Sequence, residues 1–412
     1  AQQPRRAAPA RAASNDDVGD AAPQTSAPQK SVVVIGGTGR IGTAVATHLL
    51  QRDRTLKVAM AGRDAERGLA AVEEVTRESG QPCAWIPLDY RDLDACREAV
   101  ALTTAVVHVA GPFTGPNKLA PLEAAIAEKV PIYVDVSDPI EYLDEAKAMS
   151  PEAEASGTAA LLCAGAFPGF SNVLAMEAAA ALGAPVEDLA FNYFTAGLGG
   201  SGTVNLDITN YGFGPPVARY VDGAPAKTED YAGADLGEVE YFFPGGDGGL
   251  AAACWAWPFP EAATVAEELG ISGTSRAGMG TAPAIWNVVL RAMVAVVPRS
   301  WWSSERFSGG LARFSEPLVA LTDSFVGERH AMRVDVTSAA GDAVAAIQTH
   351  DSFRRCVGQS CAEFCLDLLD HGAAPGVRLP EALYAAPEPR RRVLKRLSST
   401  SGTTSFGVDR VS

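Results

Sequence analysis

Four glycines, Gly36, Gly37, Gly39 and Gly42, interrupt the run SVVVIGGTGRIGTAVATHLL between Ser31 and Leu50. Before them the chain is apolar and β-branched; after them the apolar residues return with the period of a helix. Glycines at a strand-to-helix turn suit one piece of chemistry. Lacking side chains, they let backbone N–H groups approach a pyrophosphate, and the following helix turns its positive end towards the same anion. Gly37-x-Gly39-x-x-Gly42 has the dinucleotide spacing, and Gly36-x-x-Gly39-x-x-Gly42 is its close variant. Gly36, Gly37, Thr38, Gly39, Arg40, Ile41 and Gly42 are therefore expected to cradle a nicotinamide dinucleotide, whose chemistry is hydride transfer. No Gly-Lys-Ser/Thr follows, which excludes a P-loop. A plain tight turn is the alternative, and the surrounding elements decide against it.

The end of the second strand selects the cofactor. An NAD site usually places a carboxylate there for the ribose hydroxyls. This chain has Ala61-Gly62-Arg63. Arg63 would attract a 2′-phosphate and Gly62 leaves room for it, with Arg40 adding charge, so NADP(H) is expected over NAD(H). The bland reading makes Arg63 a surface residue and Asp64 a helix cap. Asp89, at the end of the third strand, is expected against the adenine. Ala110, Gly111, Pro112 and Phe113 end the fourth strand close to the cofactor, with Phe113 expected as a wall beside the nicotinamide.

Reducing a carbonyl or imine also needs a proton donor. Tyr133 and Asp135, then Ser137 and Asp138, sit at the end of the fifth strand; Tyr193, Thr195 and Ser201 lie in a later glycine-rich segment. Tyr133, Asp135 and Tyr193 are the leading catalytic candidates, and the residues alone do not choose among them. The Tyr-x-x-x-Lys pair of short-chain dehydrogenases is absent, since Ser137 stands four residues after Tyr133. His108 lies in an apolar strand and reads as a core histidine.

These residues need elements to hold them. From Ser31 six strand-like runs, each a continuous apolar stretch such as SVVVI or TAVVHVA, alternate with helical runs. Asp64 is the expected N-cap of the second helix. That alternation implies an α/β fold, a doubly wound parallel Rossmann sheet. After about Phe167 glycine-rich loops and alternating strands take over, among them a hairpin around Ala340-Gly341-Asp342, and imply a second, mixed α+β domain. The expected organisation is a disordered tail over 1–30, the Rossmann domain over 31–166, an α+β substrate or dimerisation domain over 167–356, a C-terminal helix and loop over 357–386, and a basic, Ser/Thr-rich tail over 387–412.

With 412 residues, two cores are expected rather than one. A net charge of −15 repels phosphate backbones, so nucleic acid is not an expected partner. Seven cysteines without a C-x-x-C argue against a disulfide framework or zinc ribbon. Cys356, Cys361 and Cys365 read as one buried helix face, and no metal is expected. APAIWNVVLRAMVAVVP, residues 282–298, reads as a core or interface helix. With Trp301 and Trp302 beside it, peripheral membrane contact is the minority alternative. The chain opens on Ala1, which reads as processed or trimmed. PRRAAPARAAS resembles a transit-peptide end, with Asp16, Asp17 and Asp20 marking a mature start.

GGTGRIG, AGR, HVAGPF, YVDVSD and AGAFPGFSNVLA, with YFTAGLGGSGT and the distal HGAAPGVRLPEAL, resemble the saccharopine dehydrogenase-like proteins. FTAGLGGSGT, GTAPAIWN and GERHAMRVDV look closest to its chloroplast-targeted plant and algal branch. The resemblance implies a cofactor cleft covered by the second domain, a chain end that returns to the Rossmann domain, and a plastid stromal location. It also implies a polycarboxylate substrate in true saccharopine reductases, for which Arg276, Arg291, Arg313 and Arg333 are the available cations. The expected function is an NADP(H)-dependent oxidoreductase of a small-molecule carbonyl or imine, with a homodimer possible. The alternative is a non-catalytic NADP(H)-binding scaffold.

Overall fold

The structure, a computed structural model, describes residues 29–197, 249–411 and, between them, 206, 207, 209, 210, 212–214, 217, 219–226 and 232–243. Residues 1–28, the greater part of the expected N-terminal tail, and Ser201 lie outside the described residues.

The first half alternates as its apolar runs require: β1 (Ser31–Ile35), α1 (Arg40–Arg52), β2 (Lys57–Gly62), α2 (Ala65–Ser79), β3 (Cys83–Pro87), α3 (Leu93–Val100), β4 (Ala105–His108), α4 (Ala120–Ala127), β5 (Ile132–Asp135), α5 (Ile140–Ala148), α6 (Ser150–Ser156) and β6 (Ala159–Leu161). The stretch from Ile140 to Ser156 reads in sequence as one helix. It breaks at Met149, because Pro151 has no N–H for the helix and belongs in a first turn. The strands pair in parallel in the order β15-β6-β5-β4-β1-β2-β3, where β15 is Gly376–Arg378. Strand order reverses between β1 and β4, so a crevice opens at their carboxyl ends.

Beyond α7 (Phe170–Leu182) a second sheet forms from β7 (Asp188–Ala196), β8 (Arg219–Val221), β9 (Ala224–Ala226), β10 (Asp235–Glu240), β11 (Ala251–Ala256), β12 (Ser275–Ala282), β13 (Arg329–Thr337), β14 (Ala343–His350) and β16 (Thr403–Val411). Its path is β10-β11-β12-β7-β13-β14-β16; β7 and β12 are parallel and the remaining neighbours on that path antiparallel. Between β11 and β13 lie α8 (Glu261–Leu269), α9 (Ala284–Val296), α10 (Arg299–Trp302) and α11 (Glu305–Val326). One apolar cluster runs from Val34 in β1 through Phe170 and Leu174 in α7 to Phe191 and Val334, joining the two sheets. No described helix is long and apolar enough to cross a membrane.

The chain then comes back to the first domain. α12 (Phe353–His371) lies along α1, so close that a Cβ on Gly358 would stand 2.6 Å from Ala44 Cβ. It carries Cys356, Cys361 and Cys365 into the core, and burial raises all three thiols, Cys356 and Cys365 to about 12. Among the described residues no group of three or more histidines, cysteines and carboxylates could hold a metal ion. After α13 (Pro380–Leu383), residues 387–411 depart from the expected tail. Pro387–Ser398 is a helix, α14, and β16 pairs with β14 from Ala343↔Val411 to His350↔Thr403. The basic residues that read as a solvated run have partners far away in sequence. Arg390 meets Glu177 at 2.8 Å, Arg392 meets Asp367 at 2.8 Å, and Arg396 meets Asp370 at 2.5 Å.

Candidate active site

The glycine loop has no room for a side chain at Gly36, Gly37 or Gly42. A Cβ on Gly42 would stand 2.4 Å from Gly36 O and 2.6 Å from Gly37 Cα, and one on Gly37 would stand 2.6 Å from Met60 Cβ. Gly36 has φ +86°, a conformation glycine adopts without strain, and a Cβ there would lie 2.7 Å from Ala110 N. Its N–H donates to Ala61 O at 2.9 Å, which pins the loop to the end of β2. Gly39 caps α1 with no side chain, and the first helical bond runs from Thr43 N to Gly39 O, 2.9 Å. The amides of Gly36, Gly37 and Gly39 are spent inside the loop, on Ala61 O and Gly36 O, which leaves the first-turn amides of α1 and the helix's positive end as the groups that fit a pyrophosphate. Ile41 contributes only backbone, since its side chain packs on the core.

Around this cradle the structure gathers the other expected residues. Thr38 packs against Gly62, with its Cγ2 3.3 Å from where a Cβ would be, so the end of β2 abuts the loop. Arg63 is exposed just beyond, and Asp64 is engaged elsewhere, accepting Arg67 N at 3.0 Å as the cap of α2. No carboxylate at the end of β2 therefore points at a ribose. Asp89 differs from its expected adenine contact. Its oxygens take Arg91 Nε at 3.0 Å and Nη2 at 2.7 Å, and these bonds, helped by the Arg63 charge, hold its carboxyl down at about 2. Asp89 thus orients Arg91, a second guanidinium near Arg63 that the sequence reading missed. The Asp-Tyr-Arg triplet after β3 was its only signal.

At the end of β4, Ala110 covers Gly36, and the Gly111–Pro112 bond is cis. Phe113 does not wall the crevice. Its ring is buried, 4.8 Å from the His108 ring and 5.2 Å from Tyr142. The turn after β4 folds the ring inward, into the apolar cluster that holds Leu122, Tyr133 and Tyr142.

Tyr133 and Asp135 are also correctly placed in sequence and wrongly placed for proton donation, since both are fully buried. Asp135 Oδ1 accepts Ser137 N at 3.0 Å, Ser137 Oγ at 2.6 Å and Cys163 N at 3.1 Å. Its Oδ2 accepts the hydroxyls of Tyr142 at 2.9 Å and Tyr133 at 3.3 Å. The Tyr133 oxygen lies 3.1 Å from His108 Nδ1, and burial pushes His108 down to about 3. Five donors on one carboxylate make a plug that ties β5 to α5 and to the end of β6.

Tyr193 lies where the sheets meet. Its ring stacks on Phe167 at 4.3 Å and its buried hydroxyl donates to Glu261 Oε1 at 2.5 Å. Burial raises Glu261 to about 8. Nearby, Glu381 accepts Asn172 Nδ2 at 2.7 Å and is raised by burial as well. Glu261, Glu381, Asn172 and the buried His330, whose ring lies 5.3 Å from that of Phe167, were missed by sequence reasoning, which carries no signal that distant polar residues share one apolar surrounding. The Glu261 shift has a consequence for stability. The folded chain keeps this proton above pH 4.5, the group's ordinary value, where the unfolded chain releases it. Stability is then fullest below that point and falls towards about pH 8, by up to ~1.4 kcal/mol per pH unit. Denaturant unfolding from about pH 5 to about pH 8 should show that decline, and Glu261→Gln should flatten it; equal slopes in both proteins would rule it out.

Of the four arginines considered for a polycarboxylate, Arg276 and Arg333 come together at Asp335, and the other two lie elsewhere. Strand alternation puts Arg333, opposite Asn192, on the sheet face away from Tyr193, with Arg276 on that same outer face. Arg333 donates to Asp335 Oδ1 at 2.8 Å and to Glu240 O at 2.8 Å. Arg291 lies 5.3 Å over the Trp255 ring, and Arg313 is exposed on α11.

No curated protein sequence matches the chain. Solved structures with similar segments include Pen from Bacillus thuringiensis, with 22% identity over 32% of this chain and 49% of that one, TM-score 0.26. A short-chain type dehydrogenase/reductase from Mycobacterium marinum has 16% identity over 32% of this chain and 72% of that one, TM-score 0.28. UDP-glucose 4-epimerase from Bifidobacterium longum has 21% identity over 26% of this chain and 37% of that one, TM-score 0.22. The chain thus spans about half the length of Pen and less of the epimerase. Residues 32–161, which hold the glycine loop and the six parallel strands from β1 to β6, match the family model of the saccharopine dehydrogenase NADP binding domain, over less than half of the 412-residue chain.

Proposed function

We propose that the whole chain is a saccharopine dehydrogenase-like oxidoreductase that uses NADP(H) in preference to NAD(H). The observation that carries this is the pairing of a cradle closed by Gly36, Gly37 and Gly42 with the end of β2, where Arg63 stands exposed and Asp64 is turned into a helix cap. In this reading the first-turn amides of α1, at Ile41 and Gly42, hold the pyrophosphate, and Arg63 with Arg91 holds the 2′-phosphate. Bound there, the cofactor supplies a hydride. The chain's own part is to hold a carbonyl or imine at the carboxyl ends of β4 to β6. That Arg276 and Arg333 face away from Tyr193 and already serve Asp335 favours an uncharged substrate over a polycarboxylate.

Fluorescence titration with NADPH and NADH tests the cofactor. NADPH should bind more tightly, and Arg63→Ala should weaken NADPH about 10- to 100-fold, the order of one charge-assisted phosphate contact of ~1.5–3 kcal/mol, while leaving NADH within about twofold. Equal affinities in the unaltered protein would refute the preference.

One observation favours a second reading, a cofactor-binding protein without turnover: Tyr133, Asp135 and Tyr193 are all buried. Transfer of deuterium from 4-deuterated NADPH to a panel of aldehydes, ketones and imines separates the two, since a scaffold labels no product. The plastid address belongs to the same proposal and rests on the branch resemblance. Recovery of the endogenous protein with the cytosol of fractionated algal cells, and not with the isolated plastids, would reject it.

A further inference from the structure

α9 lies over the second sheet without closing against it. Met279 pairs with Trp255 on one side and with Tyr193 on the other, so the Trp255 side chain stands on the Tyr193 face. On that face no residue of α9 is buried, although its only charge is Arg291. A slot remains beneath the helix, walled by Phe213, Trp255, Trp257, Met279, Leu290 and Val294. Asn287 shuts one end, donating its Nδ2 to Thr281 O at 3.0 Å. The other end passes Gly233, Arg291 and Val294 into a wider cleft of about 520 Å³, floored by Val294, Val297 and Pro298. Sites that take small molecules measure about 300–1,000 Å³.

Two hydrogen-bond donors stand where slot and cleft join. Arg291 lies 5.3 Å over the Trp255 ring and has no carboxylate partner among the described residues. The Nε1 of that same ring is buried and meets no acceptor. A buried N–H without an acceptor is a deficit that an oxygen atom of a ligand would remove. The polar groups of Asn287 and Thr281 are already spent on each other. No carboxylate lines either space, and Arg299 is the other charge on the cleft. A guanidinium beside an N–H suits the two oxygens of one carboxylate. Apolar walls to both sides of those donors suit a hydrocarbon body.

We propose that slot and cleft are a binding site for a small apolar carboxylate of the size of a medium-chain alkanoate, its head on Arg291 and Trp255 Nε1 and its chain along Val294, Val297 and Pro298. The ligand is a dissolved monomer, because a flat bilayer surface does not reach a buried N–H at a concave junction. The site belongs to the second domain, apart from the glycine loop, so it stands or falls separately from the cofactor.

Isothermal titration of the full chain with decanoate and with decan-1-ol tests head and chain separately. Decanoate should bind more tightly than the alcohol by about tenfold or more. Arg291→Gln should weaken decanoate about 10- to 100-fold, the order of one charge-assisted contact, and leave the alcohol within about twofold. Val294→Trp, which fills the junction, should abolish both. Circular dichroism and NADPH affinity should stay unchanged in the two variants, since Arg291 is exposed and Val294 half-buried. Equal affinity for acid and alcohol overturns the proposal, as does an Arg291→Gln protein that binds decanoate as before. A chain that takes up no decanoate overturns it too, and flotation of that chain with phosphatidylglycerol vesicles would assign the face to a bilayer. A chain that takes up decanoate but no NADPH sinks the cofactor reading alone.

Discussion

Gly42→Ala is expected to lower NADPH affinity by about 100-fold or more and to destabilise the fold by ~1–3 kcal/mol, the usual cost of overpacking. The added methyl would sit 2.4 Å from Gly36 O and 2.6 Å from Gly37 Cα, and both obstacles are backbone. No rotamer change relieves such a contact. Either α1 moves away from β1 or the loop moves out of the crevice. Both displace the first-turn amides from the phosphate position, and an amide misaimed by an ångström loses most of a charge-assisted bond. Gly80→Ala is the matched control. Gly80 has φ +67° at the end of α2, with nothing within 4 Å of an added Cβ. That substitution should cost about 1 kcal/mol of stability through backbone strain and leave NADPH affinity unchanged. Cofactor titration beside denaturant unfolding reads both effects. If Gly42→Ala binds NADPH as the unaltered protein does, the glycine loop is not the cradle.

Asp135→Ala should unfold the first domain more readily by ~3–5 kcal/mol, because it strands several buried donors at once. The amides of Ser137 and Cys163 would keep no acceptor, and the hydroxyls of Tyr133 and Tyr142 would lose theirs. Asp135→Asn keeps an oxygen for the two amides and lets the phenols turn to the new NH2, so it should cost about 1–2 kcal/mol. A catalytic role predicts the opposite pattern: little change in stability for either variant, with turnover lost in both. Urea unfolding of the two variants separates these, and an alanine variant within about 1 kcal/mol of the unaltered protein would remove the structural account.

The two cases show what kind of information each level carries. The cradle was legible because everything it needs is local. Four glycines in seven residues, an apolar strand before them and a helical period after them lie within one short segment. Asp64 is similar, since a cap bonds an amide three residues on. The same reading put Tyr133 and Asp135 at a strand end and could go no further, because a polar pair there serves a crevice or a plug equally well. Which one it is depends on depth, and depth is set by α5, Cys163 and the inward turn of Phe113.

The chain's end makes the same point. PEPRRRVLKRLSS has the composition of a solvated basic segment, yet Arg390 reaches Glu177, 213 residues earlier, and β16 is held by eight residues of β14. β15 contributes only three residues to the parallel sheet, too few for any period to register. By itself the sequence determined the strand–helix alternation, the glycine loop and an arginine, not a carboxylate, directly after β2, since sterics and periodicity act between near neighbours. Only the tertiary structure decided which polar groups are sealed and which arginines are already paired. Burial and charge pairing are sums over residues brought together from across the whole chain.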